Sequence, residues 1–92
     1  MEKVRIDKWL WSVRIFKSRT LAADAIKSGK VRIGDSLAKA ADNISVGQIV
    51  HVKKDGFNLD FLVKKLIEKR VGAPIALECY DNLTPQEELN KY

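Results

Sequence analysis

The chain has 92 residues, 46% of them apolar, which is enough for one small domain and argues against disorder throughout. No apolar run approaches the roughly 20 residues that span a bilayer, and MEKVRIDKW lacks the apolar core of a signal peptide, so a cytoplasmic protein is expected. The net charge of +5 is concentrated: residues 1–34 hold nine Lys and Arg against three acids, whereas residues 72–92 hold Lys91 against Glu78, Asp81, Glu87 and Glu88, a separation that bears on choice of partner rather than on fold.

Lys3 to Ile6 reads as a short extended lead-in. Asp7 is a good N-cap for a first helix over Lys8–Phe16, because its carboxylate accepts from free N–H groups and suits the positive helix end. Trp9, Leu10, Val13 and Phe16 recur at helical spacing and make its apolar face. Trp11 and Ile15 point away from that stripe, either to stack on bases or to pack elsewhere in the domain. Ser18 caps a second helix over Arg19–Ser28, with Leu21, Ala22, Ala25 and Ile26 as its stripe, and Gly29 stops it. On the remaining faces stand Arg5, Lys8, Arg14, Lys17, Arg19, Lys27 and Lys30. A helix pair with one apolar and one cationic side suits a phosphate backbone.

Val31 and Ile33 alternate with Arg32, Gly34-Asp35 supplies a turn, and Leu37 returns, which predicts a hairpin. Ala38–Ser45 reads as a loop and Val46-Gly47-Gln48 as a turn into a strand over Ile49–Lys53. Asp55-Gly56 turns the chain again, and Phe57, Leu59, Phe61 and Val63 alternate on the returning strand, which ends or bulges near Lys64-Lys65. Pro74 suits the first turn of a helix over Ile75–Tyr80, and Leu83-Thr84-Pro85 begins a further helical turn whose polar end, QEELNKY, is expected to fray. The expected core is Trp9, Leu10, Val13, Leu21, Ala25, Ile26, Val31, Ile33, Val50 and Val52. The fold class is α+β, with two helices on a small, mostly antiparallel sheet and a short C-terminal helix; residues 1–71 are expected to form the domain that carries the basic helix pair and 72–92 a helical tail.

No Gly-rich phosphate loop, HExxH, GxSxG or cysteine pair occurs. Cys79 cannot form an internal disulfide and reads as a small buried residue, His51 as an exposed strand residue, and the two make no metal-ligand pattern. No catalytic residue, metal or cofactor is expected.

RIDKWLW, Arg14, KSRTLA and IKSGKVRIG together resemble the S-four domain, the RNA-binding module named after ribosomal small-subunit protein four. DKWLW followed by FKSRTLA, with Arg70-x-x-Ala73-Pro74 and Tyr80, is most similar to the small bacterial heat-shock-protein-fifteen group and its short relatives in ribosome quality control. The resemblance implies a ribosome-associated protein that contacts ribosomal RNA and tRNA on large subunits carrying stalled nascent chains. It implies that Arg5, Lys8, Arg14, Lys17, Ser18, Arg19, Lys27 and Lys30 face the RNA, with Asp7 capping the helix or orienting a neighbouring Arg. Against the group's long basic C-terminal extension, the acidic end of this chain moves the match toward the compact relatives. The free chain is expected to be a monomer without a small-molecule substrate. The alternatives are a ribosome-assembly factor, an RNA-targeting accessory subunit of a separate RNA-modifying enzyme, or a DNA-binding helix-turn-helix. The last is disfavoured by the basic corner Lys17-Ser18 and the alanine-rich second helix.

Overall fold

The computed structural model describes residues 3–90, and of Leu89 the backbone alone. In chain order the elements are β1 (Val4–Arg5), α1 (Ile6–Ser12), α2 (Arg19–Lys27), β2 (Val31–Ile33), β3 (Ser36–Leu37), β4 (Asn43–Ile44), β5 (Ile49–Lys54), β6 (Phe57–Val63), α3 (Ala73–Ala76), β7 (Tyr80–Asn82) and α4 (Gln86–Leu89). This is the α+β arrangement expected. An antiparallel sheet of order β3-β2-β5-β6-β7 carries the core on one face, and a two-stranded sheet pairs β1 with β4.

Strand alternation builds the sheet side of the core. Val50 lies between Ile33 and Phe61, and Val52 between Val31 and Leu59, so side chains two apart share the inner face. The helices bring Trp9, Leu10, Val13, Ala22, Ala25 and Ile26 to it. Trp9 is fully buried, donates from Nε1 to the Lys65 carbonyl at 2.9 Å, and meets the Tyr80 ring edge-on at 6.3 Å. Cys79 is buried as expected, and burial pushes its thiol above the ordinary range, with Lys65 partly opposing the shift. His51 lies on the outer face, where its Nδ1 pairs with Asp60 Oδ1 at 2.6 Å.

Several expectations are corrected. α1 starts at Ile6, because β1 leads straight into it and the Asp42 carbonyl takes the Ile6 N–H at 2.8 Å. Asp7 therefore sits inside the first turn and is not the N-cap. The helix ends at Ser12 rather than Phe16, since Arg14 adopts φ +64°. Residues 43–44 form a strand where a loop was expected, held by the register Val4 to Ile44 and Arg5 to Asn43. Ile33 is half-buried, and Leu21, expected in the core, is 49% exposed. The helix expected over 75–80 ends at Ala76, because Tyr80 pairs with Val63 of β6 and the Cys79 carbonyl accepts from Lys64 and Lys65. Ile15 packs in the core and Trp11 is half-buried. The final residues of the expected fraying tail, 91 and 92, lie outside the described range.

Candidate nucleic-acid interface

The corner between α1 and α2 is shaped by one helix stop. Val13 ends α1, Arg14 takes the left-handed conformation, and the Arg14 and Ile15 amides bond back to the Trp11 and Leu10 carbonyls at 3.1 and 3.0 Å. These are the two bonds of a Schellman stop, whose left-handed residue is most often glycine. The stop exposes Arg14, whose Nη1 donates to the Val71 carbonyl at 3.2 Å. The chain then reaches Ser18, extended and half-buried, whose Oγ accepts from Leu21 N at 3.0 Å and caps α2 as expected.

Asp7 organises the other side of the corner. Its side chain is 6% exposed, yet it meets four nitrogen donors from three residues. Oδ1 accepts from the Lys8 amide at 2.8 Å and from Arg5 Nε at 3.2 Å. Oδ2 accepts from Arg5 Nη2 at 3.2 Å and pairs with Arg19 Nη2 at 3.5 Å. Both guanidinium side chains stay about half exposed. Each has five donors in a rigid fork, so the carboxylate fixes two forks while leaving further N–H groups toward solvent. A carboxylate aimed at an incoming phosphate would repel it; this one lies beneath the arginines.

The expected residues therefore divide. Arg5, Lys8, Arg14, Lys17, Ser18 and Arg19 gather on α1, the corner and the start of α2. Lys27 and Lys30 lie at the far end of α2, about 13 Å along its axis. Lys27 lines a hollow with Leu37 and Lys39 on one flank, whereas Lys30 joins Lys17 around a cleft of about 460 Å³ on the other. Three cations not among the expected ones complete the surface. Arg70 donates from Nη1 to the Lys17 carbonyl at 2.6 Å, bringing the segment after β6 onto the corner. Lys53 and Lys54, at the β5–β6 turn, stand on the cleft opposite α2. The Lys-Lys-Asp-Gly turn and the basic run ending at Arg70 were visible signals, but their nearness to the corner is a property of the fold. Among the described residues no group of three or more His, Cys, Asp and Glu is placed to hold a metal ion, and no helix is long and apolar enough to cross a membrane.

Comparison with known proteins places the segment that carries the helix pair, though not Lys53, Lys54 or Arg70, in a recurring module. The family model of the S4 domain matches residues 4–50, which spans β1, both helices and the first strands of the sheet. A heat shock protein 15 homolog of Haemophilus influenzae is 34% identical over 79 residues, covering 86% of this chain and 60% of the relative. The RQC P-site tRNA stabilizing factor of Streptococcus pneumoniae is 30% identical over 67 residues, 73% of each chain. A solved structure of Vibrio cholerae heat shock protein 15, described as trimeric, superposes with a TM-score of 0.86 at 30% identity, over 98% of this chain and 89% of that one. The chain thus spans about 60% of the length of the Haemophilus relative. The trimeric description lends no support to the monomer expected for the free chain.

Proposed function

The chain belongs to the S4 domain family, among the relatives of heat shock protein 15, and on that premise we propose that it is a non-enzymatic RNA-binding protein of the cytoplasm that acts on the large ribosomal subunit. The observation that carries the proposal is the corner itself. Within the segment that matches the S4 domain, a buried carboxylate orients Arg5 and Arg19 while both keep donors toward solvent. Paired RNA offers phosphates and 2′-hydroxyls more readily than base edges, and forked guanidinium groups suit phosphate oxygens.

In this reading residues 1–71 are the RNA-binding domain and 72–92 an appended segment. Arg5, Arg14 and Arg19 grip phosphates at the corner, and Lys8 and Lys17 add mobile charge. The α2 N-terminus capped by Ser18 contributes backbone N–H groups, and Lys27 and Lys30 extend the contact along α2. The relative named for stabilizing P-site tRNA in ribosome quality control supports placing the protein on subunits with stalled chains, where ribosomal RNA and tRNA are both within reach. Crosslinking in cells followed by sequencing of the attached RNA tests this. Reads concentrated in large-subunit ribosomal RNA and tRNA are expected; reads spread over messenger RNA, or confined to precursor ribosomal RNA, would contradict it.

A further inference from the structure

The cleft beside α2 has a composition that gripping a phosphate backbone does not require. Helical periodicity puts Leu21, Ala25 and Ser28 on one flank of α2, and Phe16 lies before the helix at the same wall. Leu21 is 49% exposed here, a large apolar side chain on the side of the molecule where lysines gather. The opposite wall is the β5–β6 turn, tied to the end of α2 through the Lys53 amide bonded to the Lys30 carbonyl at 2.8 Å. Lys17, Lys30, Lys53 and Lys54 ring the cleft. Lys54 holds its ammonium 5.8 Å from the Phe16 ring centroid. Two carboxylates share the rim, Asp24 and Asp55, and Asp55 is paired with Lys54 at 3.7 Å. The result is an apolar wall inside a rim of net positive charge, with a volume of about 460 Å³, within the roughly 300–1,000 Å³ of sites that hold small molecules.

We propose that this cleft binds one unpaired nucleotide of the RNA, with its base against the exposed Leu21 side chain and its flanking phosphates on the lysine rim, while Phe16 is buried beneath Lys54 and only backs the wall. The inference rests on the RNA-binding function proposed above and adds a preference to it. A paired stem keeps its base faces stacked internally, so only an unpaired nucleotide offers a flat apolar face flanked by anionic phosphates. Lys17 belongs to both the corner and the cleft rim, so one RNA strand can pass from one to the other. An acidic peptide would also satisfy the lysines, but the continuity of the rim with the corner through Lys17 favours RNA.

Two fluorescein-labelled RNA hairpins of one sequence, differing by a single unpaired adenosine in the stem, test this by anisotropy at one salt concentration. The wild-type protein is expected to bind the bulged hairpin about tenfold more tightly, the ratio that ~1.4 kcal/mol produces. Leu21→Ser changes no charge at a half-exposed position; it should erase that preference and leave affinity for the paired hairpin unchanged. Leu77→Ser, at an apolar residue of the C-terminal segment that is 64% exposed, should change neither. Matching thermal melts establish that the variants are folded. Equal wild-type affinities for the two hairpins, or a preference that survives Leu21→Ser, overturn the nucleotide site and leave the RNA-binding function standing. No binding of either hairpin overturns both. Leu21-dependent binding of a glutamate- and leucine-rich peptide, with no preference for the bulge, would make the cleft a peptide groove and also overturn the proposal.

Discussion

Arg14 and Gly29 occupy the same position in two copies of the same helix stop. Gly29 has φ +75° and follows α2, with the Gly29 and Lys30 amides bonded to the Ile26 and Ala25 carbonyls; Arg14 has φ +64° and follows α1, with the Arg14 and Ile15 amides bonded to Trp11 and Leu10. Glycine takes this conformation freely, whereas an L side chain is disfavoured there by about 1–2 kcal/mol. The arginine is thus kept at a backbone cost, which points to a use for its side chain. Arg14→Gly is expected to leave stability unchanged or raise it by up to about 1 kcal/mol, while weakening RNA binding. Denaturant titration and RNA anisotropy on the same preparation check this, and intact RNA affinity would contradict it.

Asp7 offers a test in which two accounts differ in sign. If it merely offsets positive charge, Asp7→Asn strengthens RNA binding by removing a negative group from a cationic face. If it orients Arg5 and Arg19, the same change weakens binding despite the more positive field. We expect weakening of about fivefold, equivalent to ~1 kcal/mol, at constant salt. Tighter binding would assign Asp7 a purely electrostatic part.

Ser12 is fully buried in α1, and among the described residues its Oγ has no hydrogen-bond partner. A buried polar group left unsatisfied costs about 1–3 kcal/mol, and alanine is the better helix former. Ser12→Ala is therefore expected to raise the unfolding free energy by about 1 kcal/mol or more, read as a higher denaturation midpoint, without affecting RNA binding. A lower midpoint would show that the hydroxyl finds a partner in solution.

Much of this fold was legible where the signal is local. The Ser18 cap and the Gly29 stop depend on side chains a few residues from the backbone they satisfy, and both were read correctly. The Arg14 stop was not, because its conformation is ordinarily announced by glycine. The 43–44 strand and the conversion of Tyr80 from helix to strand were also missed, since each depends on a partner strand: β1 for the former and β6 for the latter. Leu21 fits the apolar stripe of α2 by spacing, but Ala22, Ala25 and Ile26 already fill the inner face, so it turns to the cleft. The cationic residues of the two helices were legible from composition and motif. The bridge from Asp7 to Arg19 and the arrival of Arg70, Lys53 and Lys54 were not, because tertiary packing alone joins residues so far apart in sequence.

Backbone gripping has a signature in salt. Each neutralised phosphate releases condensed counterions, with slopes of roughly −0.7 to −0.9 per contact. A site of four to six contacts is then expected to give a log–log slope of about −3 to −5. A slope near zero between low and moderate salt would contradict the mechanism.

The most direct test of the corner is ribosome co-sedimentation of Arg14→Glu plus Arg19→Glu. Arg14 is exposed, and glutamate there meets the same backbone restriction as arginine. Arg19 is about half exposed and pairs with the buried Asp7, which Arg5 still neutralises when Arg19 is reversed, and thermal melts establish that the variant is folded. The control is Glu78→Lys plus Glu87→Lys, two exposed acids of the C-terminal segment. Glu88 is left alone because its Oε1 accepts from the Asn58 amide at 2.7 Å. Reversal at Arg14 and Arg19 turns attraction for phosphate into repulsion, far more than the loss of a surface ion pair. The arginine variant is expected to leave the ribosomal fraction entirely while the control stays or binds more tightly; equal association of the arginine variant, the control and the wild type at matched stability would contradict the assignment of the corner to RNA.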